Sequence, residues 1–204
     1  YVRLVVPKAC INPLSILLPE AVFVGLTEYS GTEFNNRIKR LIDGSDAVLI
    51  GPGLSVSDEA LRLMEAVVEN CDKPMVIDAD ALNIMSKERP LLERLRCETV
   101  ITPHPAEMAR LTQKSVSEIQ EDRINIAKDF ADEYGLTVVL KGAGTVIAAN
   151  DGRTSINSTG NHGMATAGAG DVLAGIITSL IGQGLYPYDA AVAGVYLHGL
   201  AGDI

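Results

Sequence analysis

A glycine-rich segment that leads into an apolar helix carries the strongest chemical signal in the sequence. Residues 160–170 are mostly glycines and other small residues, and Asp171 follows them directly. The free amides of such a loop, together with the positive end of the next helix, bind phosphate or a developing anion. Asp171 is then placed to take a proton from a hydroxyl group that attacks phosphorus. Asp171 could instead only cap its helix, but so many glycines are costly in backbone entropy for a simple connector, which favours a function.

Two further glycine pairs follow apolar segments. Gly51-Pro52-Gly53 comes directly after Ile50, and Lys141-Gly142-Ala143-Gly144-Thr145 comes directly after Leu140. Paired glycines let a ligand approach the backbone closely, and the Lys141 ammonium can bind phosphate. The residues alone are equally compatible with a tight strand–helix turn at 51–53 and with a surface β-turn at 141–145.

Polar residues follow two other apolar segments. Asp78-Ala79-Asp80 follows Met75–Ile77, and in an extended chain both carboxylates point the same way, where they could hold Mg²⁺ through water or contact a sugar hydroxyl. For Asp80 we expect instead that it caps the next helix. His104 lies between two prolines after Ile101, and Pro105 fits the first turn of a helix. A lone histidine is often structural, but this position favours a modest functional role.

The elements that must position these residues are short strands and helices in alternation. The predicted strands are Ala47–Ile50, Met75–Ile77, Thr99–Ile101 and Thr137–Leu140, and a strand also opens the chain at 1–6. Between them we predict a helix capped by Ser57, a single helix over 115–134 and a helix over 171–181 with a broad buried stripe. This alternation predicts a mostly parallel central sheet with helices on both faces. Ligands bind such sheets where the strands end.

Composition limits the classes of function. The chain has 204 residues, 47% hydrophobic and 21% charged, which suits one domain over residues 1–204 with a substantial core. The net charge of −9 argues against a nucleic-acid partner. No apolar run reaches the roughly 18 residues of a membrane span, and Cys10, Cys71 and Cys97 form no paired motif. We therefore expect a reducing, cytoplasmic location. Because the chain opens inside a strand, we expect it to be a fragment of a longer protein.

Several familiar catalytic motifs are missing from the sequence. It contains no Walker A loop, no GxGxxG fingerprint and no GxSxG elbow, and its histidines and cysteines are too dispersed for a zinc site. The residues assign no metal ligand. What remains is an α/β protein with glycine-rich anion loops and one well-placed aspartate, which implies phosphoryl transfer to a hydroxyl without a P-loop.

Taken in order, the motifs resemble the ADP/ATP-dependent NAD(P)H-hydrate dehydratases, a family of the ribokinase-like superfamily. The matching segments, which span roughly the last three quarters of the chain, are 51–54, 78–83, 102–110, 141–145 and 157–176. Gly-Ala-Gly-Asp at 168–171 is shared with many ribokinase-like kinases, whereas the segments beginning at Asp78 and Thr102 point to the dehydratases. Ala106, His162 and Ala169 depart from the residues that are common in the family, and none of them removes a proposed catalytic group.

The resemblance implies a complete set of roles for the site. The nucleotide, ATP or ADP with Mg²⁺ screening its phosphates, would be bound by Lys141, Gly142, Ala143, Gly144, Thr145 and Gly170. The substrate, the S epimer of hydrated NADH or NADPH, would contact Gly53, His104 and Asp171. Asp171 would act as the base while the ring hydroxyl takes a phosphoryl group, and loss of phosphate would restore the reduced nicotinamide.

The resemblance also implies an N-terminal strand and helix before Tyr1 and a fused or separate NAD(P)H-hydrate epimerase as a partner. A homo-oligomer is compatible with the apolar composition.

Two alternatives stay open at this point. A ribokinase-like kinase acting on a vitamin precursor, such as a hydroxymethylpyrimidine or a hydroxyethylthiazole, would share Asp171 and the anion loop. A nucleotide-binding module without turnover would share only the loops.

Overall fold

The computed structural model describes residues 1–27 and 29–204, which form two compact units, Tyr1–Arg37 and Ile38–Ile204. In the first unit, a two-stranded parallel sheet pairs β1 (Arg3–Pro7) with β2 (Val22–Leu26), and a short 3₁₀ turn and helix α1 (Ile11–Leu17) connect them. Helix α2 (Gly31–Asp43) follows. The predicted strand at the start of the chain is thus confirmed as β1.

The second unit is built on a six-stranded sheet. Its strands are β3 (Val48–Ile50), β4 (Met75–Ile77), β5 (Thr99–Ile101), β6 (Thr137–Leu140), β7 (Val146–Ala149) and β8 (Thr154–Ile156). They follow one another across the sheet in chain order. The pairs from β3 to β6 are parallel, and β6–β7 and β7–β8 are antiparallel hairpins. The predicted mostly parallel sheet is confirmed.

Helices cover both faces of this sheet. They are α3 (Asp58–Asn70), α4 (Asp80–Lys87), α5 (Pro90–Glu93), α6 (Pro105–Thr112), α7 (Val116–Glu121), α8 (Arg123–Tyr134), α9 (Ala169–Gly182) and α10 (Pro187–Gly202). Val76, Val100 and Val139 pack with α9 and α10 in one apolar cluster. Alternation turns their neighbours to the opposite face, and these are buried as well, with α8 against β6 and β7.

The local signals for helix ends were mostly reliable. Ser57 caps α3 by accepting a hydrogen bond from the Ala60 amide, and Gly135 ends α8 in the left-handed conformation. The single helix predicted over 115–134 is wrong, because Asp122 (φ −142°) leaves helical geometry and its side chain caps a new helix. The predicted buried stripe of α9 is also too broad, since Val172 is exposed.

The register of the parallel strands brings the predicted site segments together. Ile50, Ile77 and Ile101 are partners across β3, β4 and β5, so residues 51, 78 and 102 leave the sheet at the same edge. Lys141 leaves β6 at this edge too, where its amide donates to the Pro103 carbonyl. None of the helices in the described residues is long and apolar enough to cross a membrane.

Candidate active site

A buried ion pair lies at the centre of this edge. Lys141 Nζ is 2.8 Å from Asp78 Oδ1, although 63 residues separate them in the chain. Asp78 is 1% exposed, and its second oxygen, Oδ2, has no hydrogen-bond partner among the described residues. A buried carboxylate oxygen without a partner is costly unless a ligand, an ion or water satisfies it. The pair therefore offers both a cation and an unused anionic oxygen at the strand ends.

The backbone around Asp78 is constrained at two positions. Gly51 has φ +131°, and a Cβ there would overlap the Asp78 carbonyl oxygen. Ala79 has φ +50°, an unusual value for a residue with a side chain. This turn separates the two carboxylates, so the expectation that Asp78 and Asp80 point the same way is wrong.

Asp80 also does not cap helix α4, contrary to prediction. The N-cap position is Ala79, and Asp80 Oδ2 instead accepts a hydrogen bond from the Ser55 amide at 2.8 Å. Asp80 thus holds the loop that contains Gly53. Gly53 itself is exposed with φ +68°, and a Cβ at that position would meet nothing within 4 Å. Glycine adopts this backbone conformation without strain and leaves an open surface beside the strand ends.

His104 and Glu107 form a reciprocal cap at the start of α6. His104 Nδ1 accepts hydrogen bonds from the amides of Ala106 and Glu107, and Glu107 Oε2 accepts from the His104 amide at 2.8 Å. Because Nδ1 is an acceptor here, the neutral imidazole carries its proton on Nε2, which lies 3.3 Å from Glu107 Oε1. His104 is therefore a structural cap whose ring is half-exposed at the site edge.

The environment of this pair favours the uncharged forms. Burial, followed by the positive charges of Lys141 and Arg110, lowers the pKa of His104. Burial raises the pKa of Glu107, which is only 5% exposed, although the His104 amide and Lys141 act against that rise. Lys141 Nζ lies 3.9 Å from Glu107 Oε2, so Lys141 faces two carboxylates. The ammonium is thus held at the strand ends.

The loop from Lys141 to Thr145 joins β6 and β7 as the predicted hairpin turn. The Gly142 carbonyl accepts from Thr145 Oγ1 at 3.0 Å, and Arg123 donates to the Leu140 and Ala143 carbonyls. The amides of Gly142, Ala143 and Gly144, by contrast, donate to no acceptor in the described part of the chain, and all three residues are exposed. Several free amides in one turn form an anion-binding concavity.

A second set of free amides begins helix α9. Gly168 (φ +86°) is its N-cap without any side-chain cap, so the helix starts two residues earlier than predicted. The amides of Ala167, Gly168, Gly170 and Asp171 have no acceptor within residues 1–27 and 29–204. Asp171 is exposed and occupies the third position of the helix. The capping role considered for Asp171 is therefore wrong, and its carboxylate is free for chemistry.

Gly170 joins the two amide sets. A Cβ built on Gly170 would lie 3.2 Å from Lys141 Nζ and 3.9 Å from Asp78 Oδ2. A side chain there would press on the end of the Lys141 side chain, so glycine lets α9 begin close to the ion pair without displacing the ammonium. The phosphate-binding loop predicted at 160–170 and the loop at 141–145 are thus brought to the same place by the fold.

The C-terminal helix holds the glycine-rich segment in position. Thr159 Oγ1 donates to the Tyr196 carbonyl at 3.0 Å, and the Gly160 amide donates to Asp203 Oδ2 at 2.7 Å. Asn161 Nδ2 donates to the Gly202 carbonyl and to Asp203 Oδ1. Gly199 and Gly202 face this segment directly, since a Cβ at either would overlap Thr159 or Met164.

The structure also defines what the site lacks and what sequence reasoning missed. No cluster of three metal-ligating side chains occurs in the residues that the structure describes. The sequence analysis considered Asp78 only in outline and did not propose Glu107 as a site residue. The side chains of His104 and Glu107, three residues apart, form a capping box, and this spacing is the signal that could have identified Glu107. A separate surface cavity lined by acidic side chains of α7 and α8 contains none of the predicted site residues.

A mostly parallel sheet with ligand-binding loops at its strand ends and an anion loop before a late helix defines the ribokinase-like class. A solved ribokinase-like superfamily protein from Enterococcus faecalis superposes with a TM-score of 0.80 at 30% identity, covering 98% of this chain and 68% of that one. The family model described as NAD(P)H-hydrate dehydratase matches residues 1–204. The chain belongs to the NAD(P)H-hydrate dehydratase family.

Named relatives agree with this assignment. A bifunctional NAD(P)H-hydrate repair enzyme of Thermofilum pendens is 44% identical over all of this chain and 40% of its own length. An ADP-dependent (S)-NAD(P)H-hydrate dehydratase of Neisseria meningitidis is 42% identical over 92% of this chain and 64% of its own. The ADP/ATP-dependent dehydratase from Bacillus subtilis, co-crystallised with ATP/Mg²⁺ and soaked with CoA, has a TM-score of 0.76 at 31% identity over 97% and 70% of the two chains. This chain thus spans less than two thirds of the length of the Thermofilum and Neisseria proteins.

Proposed function

We propose that the protein dehydrates the S epimer of hydrated NADH and NADPH in a reaction that consumes ATP or ADP. The observation that carries this proposal is the pairing of two free amide sets, one at 142–144 and the other at 167, 168, 170 and 171, around the Lys141 ammonium. The names of the Neisseria and Bacillus proteins support the substrate and the nucleotides.

The nucleotide occupies the loop at 141–145 in this proposal. The free amides of Gly142, Ala143 and Gly144 hold its phosphates, Thr145 fixes the turn, and Lys141 neutralises the phosphoryl group that is transferred. Gly170 keeps the second amide set close to the first. Together these donors can stabilise the negative charge that is spread over the phosphoryl oxygens during transfer.

The hydrated nicotinamide lies on the open surface beside Gly53 and His104. Its ring hydroxyl attacks the terminal phosphorus, Asp171 takes the hydroxyl proton, and the shortened nucleotide leaves. The carbon–oxygen bond of the phosphorylated ring then breaks, phosphate leaves with the bonding electrons, and a proton departs from the adjacent carbon. This restores the ring double bond of NADH or NADPH. The neutral His104 ring can donate from Nε2 to the substrate without adding charge.

Mg²⁺ fits this site as a companion of the nucleotide. It is commonly held by one or two carboxylates together with substrate phosphates, so a cluster of three protein ligands is not needed. Asp78 Oδ2 is buried without a partner, so Asp78 would hold the ion or its waters. The ion supplies charge screening for the phosphates.

We also propose that residues 1–204 act as one dehydratase domain that works with an NAD(P)H-hydrate epimerase. The family model covers the whole span, and the bifunctional name of the Thermofilum relative supports the partnership. The cytoplasmic location, the homo-oligomer and the absence of a nucleic-acid partner stay predictions from the sequence.

The proposed function is tested by incubating the full-length protein with the S epimer of hydrated NADH and ATP, ADP or no nucleotide. Absorbance near ~340 nm, which reduced nicotinamide carries, should recover only when nucleotide is present, and phosphate should appear in equal amount. A ribokinase-like kinase would instead convert a hydroxymethylpyrimidine or hydroxyethylthiazole to a stable phosphorylated product. Nucleotide binding without any phosphate release would identify a binding module and contradict the dehydratase.

A further inference from the structure

Arg123 binds the backbone of the loop at 141–145 through two of its carbonyl groups. It is the first residue of α8, and its guanidinium donates to the Leu140 carbonyl at 2.9 Å and to the Ala143 carbonyl at 3.0 Å. The two bonds span the loop from the end of β6 to its middle. A Cβ at Gly142 would lie 2.7 Å from one guanidinium nitrogen and 2.9 Å from the other, so Gly142 leaves the space that Arg123 fills.

The placement of this charge is not explained by local stability. Burial lowers the pKa of Arg123, its Nε atom is buried without a partner, and it forms no ion pair with a carboxylate in the described part of the chain. A cation at the first position of a helix also lies at the end where the helix dipole disfavours it. Arg123 is thus a partly buried cation without a carboxylate partner, and an anion bound on the loop would add a favourable charge interaction.

The bonds of Arg123 set which groups of the loop face outward. The carbonyls of Leu140 and Ala143 are bound by Arg123, and that of Gly142 is bound by Thr145. With these three acceptors engaged, the amides of residues 142–144 are left free on the exposed side. Carbonyl oxygens turned to that side would repel phosphate, so the orientation decides whether the loop can bind an anion.

We propose that Arg123 is a positioning residue for nucleotide binding: it fixes the carbonyls of the loop at 141–145 away from the site and places a positive charge behind the amides. The inference rests on the proposed function, because that function assigns the nucleotide to this loop. Arg123 itself acts through the loop backbone. Its replacement therefore weakens the nucleotide and leaves the hydrated dinucleotide, which lies beside Gly53 and His104, nearly unaffected.

The test compares three full-length variants with the unchanged protein. Arg123→Met removes the charge and both hydrogen bonds, whereas Arg123→Lys keeps the charge but cannot bond both carbonyls at once. Arg153→Met is the control at an exposed arginine in another hairpin. Calorimetry gives the Kd for ATP and ADP, and steady-state kinetics gives both KM values.

Arg123→Met should weaken nucleotide binding about ten-fold or more, the scale of losing hydrogen bonds from a charged donor, and Arg123→Lys should recover part of it. The KM for the nucleotide should rise while the KM for the dinucleotide stays constant. A merely structural arginine would lower the melting temperature and the active fraction without separating the two KM values.

The outcomes separate the inference from the function on which it rests. If the unchanged protein binds nucleotide and a folded Arg123→Met variant binds it equally well, the inference is wrong and the proposed function stands. If the unchanged protein binds neither ATP nor ADP, the proposed function fails and the inference fails with it.

Discussion

Single residues at the site are held in states that their surroundings impose. The Asp78–Lys141 pair is desolvated, and pairing offsets the penalty of burying each charge only when other hydrogen bonds complete the site. One oxygen of Asp78 lacks such a bond. This residue is therefore more costly to the free protein than a fully paired aspartate, as is common where a ligand completes the bonding.

His104 gives a prediction about pH because its pKa is lowered in the folded protein. At pH values between the lowered pKa and the ordinary value of about 6.5, His104 is protonated in the unfolded chain and neutral in the folded chain. The contribution of neutral His104 to stability is therefore complete above about pH 6.5 and declines as the pH falls below it. His104→Asn keeps a helix-capping side chain without a titrating group. Its free energy of unfolding should fall less than that of the unchanged protein on acidification.

Urea denaturation above and below pH 6.5 measures this difference. Because the pKa of Glu107 is also altered, the comparison needs a control for that residue. Burial raises the pKa of Glu107, so its contribution has the opposite sign and is lost as the pH rises through that value. Repeating the comparison in a Glu107→Gln background removes it while keeping a side chain suited to the capping box. His198, whose pKa burial also lowers, is present in every variant and cancels. Identical pH slopes with and without His104 would contradict the prediction.

At the scale of elements, the glycine-rich segment depends on helix α10 for its position. Gly199 leaves space for Thr159, whose hydroxyl bonds the Tyr196 carbonyl and the Asn157 side chain. The segment before α9 is thus attached to the protein by contacts at 157–161, which lie several residues before the free amides of residues 167, 168, 170 and 171. A substitution that shifts these contacts should therefore also displace the free amides at the start of α9.

Gly199→Ala should therefore destabilise the protein by about 1–3 kcal/mol, since the new methyl group overlaps Thr159 in a packed contact. It should also lower turnover by displacing the anion loop. Gly175→Ala in α9 is the matched control, because a Cβ there meets nothing within 4 Å and alanine favours a helix by about 0.5–1 kcal/mol. Thermal and urea melts of both variants should show opposite signs. Equal stability changes would mean that Gly199 does not seat the loop.

The sequence predicted the elements well where the signal was local. The strands β3 to β6 were found to within a residue because each is a short apolar run, and Ser57 and Gly135 marked helix ends by their own chemistry. The break at Asp122 was missed because the apolar pattern continues through it. Whether Asp80 caps its helix or reaches Ser55 depends on the turn at Ala79, which no local pattern reveals.

The candidate site was only partly predictable for the same reason. Its glycines and Asp171 stand in recognisable motifs, so the segments could be named before they were placed. The Asp78–Lys141 pair and the grip of Arg123 on the Ala143 carbonyl join residues 63 and 20 positions apart, and only the fold brings them together. Side chains that act by tertiary contact leave no spacing signal in one sequence.

At the scale of the whole molecule, the strand ends and helix α9 place two anion-binding amide sets, one buried cation and one exposed carboxylate at the same edge of the sheet. The central proposal is that this edge transfers a phosphoryl group to a hydroxyl on hydrated nicotinamide, with Asp171 as the base. The Asp171 carboxylate neither caps α9 nor is buried, so we expect its removal to affect the chemistry and leave the fold intact.

The most direct measurement is single-turnover recovery of reduced nicotinamide by the full-length protein and by its Asp171→Asn variant. Asp58→Asn is the control, since Asp58 also lies in the first turn of a helix, α3. The unchanged protein and the control should regenerate NADH with ATP or ADP. Asp171→Asn should bind nucleotide with normal affinity and melt normally, while its rate falls by about 10²–10⁴. A folded Asp171→Asn variant with a near-normal rate would contradict the role of Asp171 as the base.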